Sequence, residues 1–299
     1  MAARFDNLAR ASATALVALA AQACSGTVVS SSDASATSTQ ALLRVERTAT
    51  AADPGALRTH ASAYFLRLQA GADPTMAARL VGAAEVLPAV GQCQPAPMLS
   101  DQGMPLASLG PVDLIDVGEV AIEASQTRAT LAARAFPDVV DLVSGVVYTT
   151  RELMADPSPP QGAYTFRISG SPALSPMVLE ASAPGPLDHL YVGGYALRAE
   201  PIGVPREDLA ITWQPQGGTD LIYVELASAE DGPLERVGCT FANDGHAVVG
   251  ASALPEAASQ SIAVHLVHRQ EVAAPGIDHG EIRFDLATSG TLRFEGPHP

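Results

Sequence analysis

From residue 40 onward, apolar and polar side chains alternate in short runs separated by clusters of Pro, Gly and Asp, which is the signature of half-buried antiparallel strands. In ALLRVERT, Leu43 and Val45 are expected to face a core while Arg44 and Glu46 face water. In AYTFRISG, Tyr164, Phe166 and Ile168 alternate with Thr165, Arg167 and Ser169. In EIRFDLAT, Ile282, Phe284 and Leu286 alternate with Arg283 and Asp285. Further runs of this kind include ASAYFLRL, VDLIDVGEVAIEA, DHLYVGG, DLAITWQP, DLIYVELA, VGCTFAN and SIAVHLVH. The one segment that reads better as helix is DPTMAARLVGAAEVL, with Asp73 as N-cap, Pro74 at the first helical position, and Met76, Leu80 and Val81 near one face.

Many short strands joined by turns argue against a parallel α/β fold, because each parallel pairing needs a crossover helix and those are missing. The expected fold is mostly β: two antiparallel β-sandwich domains with at most one or two short helices. The segment ALRAEPIGVPRED, rich in charge and carrying two prolines and a glycine, places a boundary near residues 196–206. The β-rich part is accordingly expected to divide into residues 40–196 and 197–299.

In DLAITWQPQGGTDLIYVELA, Trp213 sits on one strand, and a turn separates it from the strand of Tyr223 and Val224. Residues 197–299 are similar in this respect to fibronectin type III and immunoglobulin-like domains, in which an aromatic on one strand packs across the sandwich. That resemblance implies a sandwich.

The segment before the strands gives an address. Arg4 and Arg10, the apolar run 11–21 and Ala21-Gln22-Ala23 make up an export signal over residues 1–23. Its apolar core is shorter than the about 20 residues that cross a bilayer as a helix. No later segment is long and apolar enough, so no transmembrane helix is expected in the mature chain. AAQAC resembles the bacterial lipoprotein lipobox in its final Ala-Cys, and departs from it in having Ala21 where Leu is usual and Gln22 where a small residue is usual. The resemblance implies a lipid on Cys24, whereas an ordinary signal peptidase would cut at the same bond.

Three cysteines leave one over in an exported chain. A lipid on Cys24 makes Cys93 and Cys239 an even pair, either a disulfide or two buried thiols. Residues 24–39, CSGTVVSSSDASATSTQ without its last residue, are small and polar and read as a flexible tether. The expected localisation is export with anchoring to the bacterial envelope, at the outer membrane or cell surface, and the alternative is a secreted or periplasmic protein. The membrane is then a partner through the lipid. The whole layout resembles predicted lipoproteins of myxobacteria, which implies an anchor and adds no catalytic residue.

Composition permits a core, with 47% apolar and 16% charged residues. The formal charge of −15 arises from 17 basic and 32 acidic residues, and there is no lysine. Such a surface repels nucleic acid, which is excluded as a partner.

The search for chemistry returns mostly structural readings. None of the seven histidines forms HExxH. His265 and His268 would share a helix face but lie on opposite faces of a strand, and SIAVHLVH reads as strand. Ser171 and Ser252 lack a GxSxG elbow, and no phosphate-binding or dinucleotide loop is present. Asn243-Asp244-Gly245 reads as a hairpin turn instead of a calcium loop. No cofactor, metal or catalytic residue is expected. The expected function is an exported, lipid-anchored envelope protein that serves as a structural or protein-binding β-sandwich module, with other envelope proteins or glycans as partners. One alternative is a carbohydrate-binding surface lipoprotein, with Trp213, Tyr191 and Tyr195 as a stacking platform. A second is a secreted enzyme whose site the sequence does not display.

Overall fold

The computed structural model describes residues 37–51, 53–84, 87–95, 110–124, 127–137, 142–150, 162–228 and 235–295. The expected signal peptide, Cys24 and the tether as far as residue 36 lie outside the described residues. The elements in chain order are β1 (Thr37–Thr50), β2 (Asp53–Gln69), α1 (Pro74–Leu80), β3 (Gln92–Pro95), β4 (Val112–Leu114), β5 (Val120–Ala124), β6 (Thr127–Ala135), β7 (Val143–Thr149), β8 (Gly162–Ile168) and β9 (Met177–Ala183). They continue with β10 (Asp188–Val192), β11 (Tyr195–Ala196), β12 (Ile202–Pro205), β13 (Leu209–Gln214), β14 (Leu221–Ser228), β15 (Arg236–Ala242), β16 (His246–Val249), β17 (Ser259–Ala274) and β18 (Ile277–Glu295). The protein is mostly β, as the alternation predicts.

Local chemistry accounts for several boundaries. Asp73 caps α1 by accepting from the backbone N–H groups of Thr75 at 2.9 Å and Met76 at 3.2 Å. The helix ends before Gly82, whose φ of +75° closes it, so it is shorter than the periodicity suggested. Thr37, Ser38 and Thr39, expected in the tether, belong instead to β1 and pair with Gln69, Leu68 and Arg67. Threonine's branched side chain suits an extended pleat, and a long partner strand was there to receive it.

A large sheet runs in the order β3-β15-β14-β17-β18-β1-β2-β4-β7-β6-β5-β8-β9, with β12 added in parallel to β18. A second sheet has the order β11-β10-β13-β16. The large sheet bends at β6, which pairs with β5 over its first half and with β7 over its second. That bend folds β5, β8 and β9 over β1, β2 and the first half of β18, enclosing a core of Leu43, Phe65, Tyr148, Phe166 and Phe284. The four-stranded sheet covers β14, β17 and the second half of β18 around Ile211, Trp213, Val224, Leu226 and Leu266. From β12 onward the hairpin β14–β15, the return of β17 beside β14, and the placing of β13 and β16 in the facing sheet make an immunoglobulin-like sandwich.

The two cores share strands. Even-numbered positions of β18 supply Ile282 and Phe284 to the first and Leu286, Leu292 and Phe294 to the second. β10 and β11 precede residue 197 yet join the four-stranded sheet, and β3 pairs with β15. A division at residue 196 therefore does not separate the cores, and the described residues form one compact unit. The Pro-rich segment that suggested the division is only the entry to β12. Asn243-Asp244-Gly245 does turn the chain, with Gly245 at φ +94°, but the strands on either side lie in different sheets, so the turn is a crossover and not a hairpin.

Candidate functional site

The reverse face of the large sheet holds the densest polar chemistry. Odd positions of β17 and β18 and even positions of β1 and β2 point away from both cores. The register sets Glu46 beside Asp285 on one side and beside His60 on the other. Around them lies a cleft of about 280 Å³ lined by Arg44, Glu46, Arg58, His60, His265 and Asp285.

Asp285 is the hub. His265 Nδ1 lies 2.7 Å from its Oδ1, while Arg283 Nη2 and Arg44 Nη2 approach its Oδ2 at 3.1 and 3.4 Å. Burial pushes the Asp285 carboxyl toward its neutral form, but the His265 hydrogen bond and the charges of His265, Arg283 and Arg44 outweigh it and hold the pKa down at about 2. Glu46 shows the same contest: burial opposes ionisation, and the His60 hydrogen bond and the Arg44 guanidinium overcome it. Arg44 Nη2 reaches Glu46 Oε1 at 2.5 Å.

The alternation placed Arg44, Glu46, Arg283 and Asp285 in the right phase, but that phase is only partly wet: Glu46 keeps 34% of its side-chain exposure and Arg44 12%. The side chains of Arg283 and Asp285 each retain 4% of their exposure. Toward the other end of β1 and β2 the same face meets α1, whose Ala77 and Ala78 join Leu66 and Leu68 of β2 and Val112, Leu114 and Val143 of the neighbouring strands β4 and β7 in a third apolar cluster.

His60 continues the network toward β7. Its Nδ1 lies 3.0 Å from Glu46 Oε2 and its Nε2 lies 2.7 Å from Thr149 Oγ1, a hydroxyl–imidazole–carboxylate chain. Acyl transfer at such a chain also needs backbone donors aimed at a developing oxyanion. Next to Thr149 those donors are engaged: Thr150 N–H bonds to Ala61 O at 2.9 Å, and Ala61 N–H bonds to Thr150 Oγ1 at 3.1 Å. The arrangement holds charge and orients imidazoles. Among the described residues no group of three His, Cys, Asp or Glu is placed to hold a metal ion. His265 and His268 point to opposite faces, His268 Nδ1 lying 2.7 Å from Asp220 Oδ1.

A second surface is the outer face of the four-stranded sheet. Tyr191, Ala196, Ala210, Thr212, His246 and Val248 are exposed there, and none carries a fixed charge. Tyr191 is opposite Ala196 and Thr212, and Val248 is opposite Ala210.

The residues singled out by sequence are dispersed. Cys93 and Cys239 are directly opposite each other on β3 and β15 and are joined by a disulfide. Trp213 is in the second core, 5% exposed, with its Nε1–H donating to Asn243 Oδ1 at 2.7 Å. A stacking platform of Trp213, Tyr191 and Tyr195 is therefore not assembled: β13 alternates, Trp213 takes its inward phase, and the two exposed tyrosines are left without it. Arg44, Glu46, His60, Thr149 and Asp285 were not singled out, because they meet only through pairing between strands up to about 240 residues apart.

No protein-family model matches the chain, and no curated protein matches it. Among solved structures, the crystal structure of the FN1–FN3 domains of chicken CNTN1 is similar at 11% identity, over 76% of this chain and 77% of that one, with a TM-score of 0.21. A likeness that slight carries no argument about fold or activity.

Proposed function

We propose that the chain is an exported envelope protein, anchored through a lipid on Cys24, that acts as a protein-binding β-sandwich module. The observation behind this reading is the outer face of the four-stranded sheet. In a chain with 32 acidic and 17 basic residues, six neighbouring exposed positions lack fixed charge and include Tyr191 and Val248. Depletion of charge and presence of tyrosine are what distinguish the centre of a protein interface from ordinary surface. β16 ends the sheet order beside this face and leaves main-chain groups for strand addition. The anchor reading draws on AAQAC, the odd cysteine count and the polar residues that follow.

Two experiments test the two halves. A photo-cross-linker at Thr212 in the full chain is expected to trap a discrete envelope protein, and Tyr191→Asp with Val248→Asp is expected to abolish the adduct while leaving the fold intact. An adduct pattern unchanged by the double substitution would overturn the interface. Mass spectrometry of the mature amino terminus is expected to find acyl chains on Cys24, and an unmodified thiol there would remove the anchor.

A further inference from the structure

One covalent bond does most to seat β3. The strand has four residues, ends the sheet order and pairs with β15 alone. Gln92, Gln94 and Pro95 are exposed, and of the four only Cys93 packs against the second core, at its half-buried margin. Pro95 has no N–H to give to the ladder. The turn before the strand adds one main-chain bond, from Gly91 N–H to Thr240 O at 2.7 Å. Burial therefore contributes little to holding β3, and a ladder this short at a solvent-facing edge opens easily. The bond from Cys93 to Cys239 is what keeps it in place. Beneath β3, β15 is paired on its other side with β14, so removal of β3 would make β15 the edge of the sheet and open its main-chain groups on that side.

We propose that the Cys93–Cys239 disulfide is a reducible latch, whose exchange with a dithiol releases β3 and uncovers the β15 edge while the cores stay packed. Accessibility makes the bond reducible from the folded state, because a thiolate must reach one of the two sulfurs. Cys239 is fully buried, whereas Cys93 keeps part of its exposure between two exposed glutamines, so the attack falls on Cys93. A thiolate of the dithiol bonds to the Cys93 sulfur, the S–S bond breaks, and its electron pair leaves on the Cys239 sulfur, which takes up a proton. The second thiolate of the dithiol then attacks its own partner sulfur in the mixed disulfide and expels Cys93, which is protonated in turn. Two electrons and two protons pass to the protein, and the dithiol leaves as a cyclic disulfide. The latch lies on the large sheet and does not depend on the outer face of the four-stranded sheet.

The test treats the full chain with dithiothreitol at 25 °C without denaturant, quenches with iodoacetamide, and counts alkyl groups at Cys93 and Cys239 by peptide mass spectrometry. The reduction rate is expected to rise in proportion to dithiothreitol, as direct attack on the folded protein requires, with Trp213 emission unchanged throughout. Amide exchange in the reduced protein should be about tenfold or more faster at those β15 amides that point toward β3, and unchanged in β14 and β17. Cys93→Ser with Cys239→Ser is expected to show the same fast β15 exchange with no reductant present. A reduction rate that levels off at the rate of global unfolding, a shift of Trp213 emission on reduction, β15 exchange as slow after reduction as before, or a double variant that does not fold would each overturn the latch.

Discussion

The side chain of Gln270 takes the place of a missing strand beside Ser182. Its Oε1 accepts the Ser182 N–H at 3.2 Å, and its Nε2–H donates to the carbonyl of Glu180, also at 3.2 Å. An amide bonding to residues two apart on β9 reproduces what a neighbouring peptide unit would do. β9 ends the sheet order, so without this contact its outward edge would offer free main-chain groups where the sheet curls back toward β17.

Gln270→Ala is therefore expected to cost about 1–2 kcal/mol, the worth of two partly exposed hydrogen bonds. Urea titration would read this as a lower midpoint with an unchanged slope. Amide exchange should accelerate at Ser182 while the amides of β14 keep their protection. Gln270→Glu keeps the acceptor and loses the donor, so it should fall between the two.

Asp285 links stability to acid. Its carboxyl sits at about 2 in the folded protein against 3.8 for a freely solvated aspartate, a depressed pKa. The stability this confers is present above the unfolded value and is lost as pH falls through the folded value, in a window from roughly pH 5 to pH 2. The size is about 2 kcal/mol for a group this buried. Denaturant midpoints measured from pH 7 down to pH 2 should fall through that window in the native protein. His265→Gln removes the leading favourable contribution, so its fall should be shallower and level off at a higher pH.

Much of this architecture was legible in the chain. β9 and β13 alternate buried and exposed positions as their sequences do, and Asp73-Pro74 announced α1. The cleft was half legible. Arg44 with Glu46, and Arg283 with Asp285, stand in the polar phase of their strands, but the phase says only which face a residue takes. Whether a residue on that face is wet depends on the partners that meet there, and Arg44, His265 and Arg283 close around Asp285 from three different strands. The meeting of Glu46 with Asp285 depends on a parallel register between the first and last strands, and no local pattern encodes that. Gln270 reads as one more polar residue until its neighbour is known.

Tyr148 pins the turn before β5. Its buried hydroxyl accepts the Val117 N–H and donates to Asp116 Oδ1, both at 2.8 Å. Burial raises the phenol to about 12, with the Asp116 hydrogen bond and charge adding to the effect. A raised pKa contributes stability that is complete below the unfolded value near 10 and is lost as pH climbs toward 12. Tyr148→Phe leaves Val117 N–H without its acceptor and should cost about 1–3 kcal/mol. Ultraviolet difference titration should show the native protein losing one tyrosine that ionises only with alkaline unfolding, and the variant should lack that step.

The disulfide fastens a four-residue strand to the sheet edge. Cys93 and Cys239 are 146 residues apart in sequence, so the bond restricts the unfolded chain over a long loop. Replacing both with Ser is expected to cost about 3–5 kcal/mol. Calorimetry should find a lower Tm, and reductant should lower the Tm of the native protein while leaving the double variant unchanged.

Trp213 supplies an intrinsic reporter, because it is the only tryptophan in the chain. Its ring packs in the second core and its Nε1–H is held by Asn243, so its emission should be blue-shifted relative to tryptophan in water. An oligosaccharide stacking on this ring would have to change that emission. Titration with envelope glycans is expected to leave both wavelength and intensity constant, and a saturable change would restore Trp213 as a ligand contact. Asn243→Ala leaves the indole N–H without its acceptor, at a cost of about 1–3 kcal/mol. The bond spans from β13 to the crossover between β15 and β16, so its loss should loosen that turn first. Amide exchange at Gly245 and His246 should then rise before the amides of β14 respond.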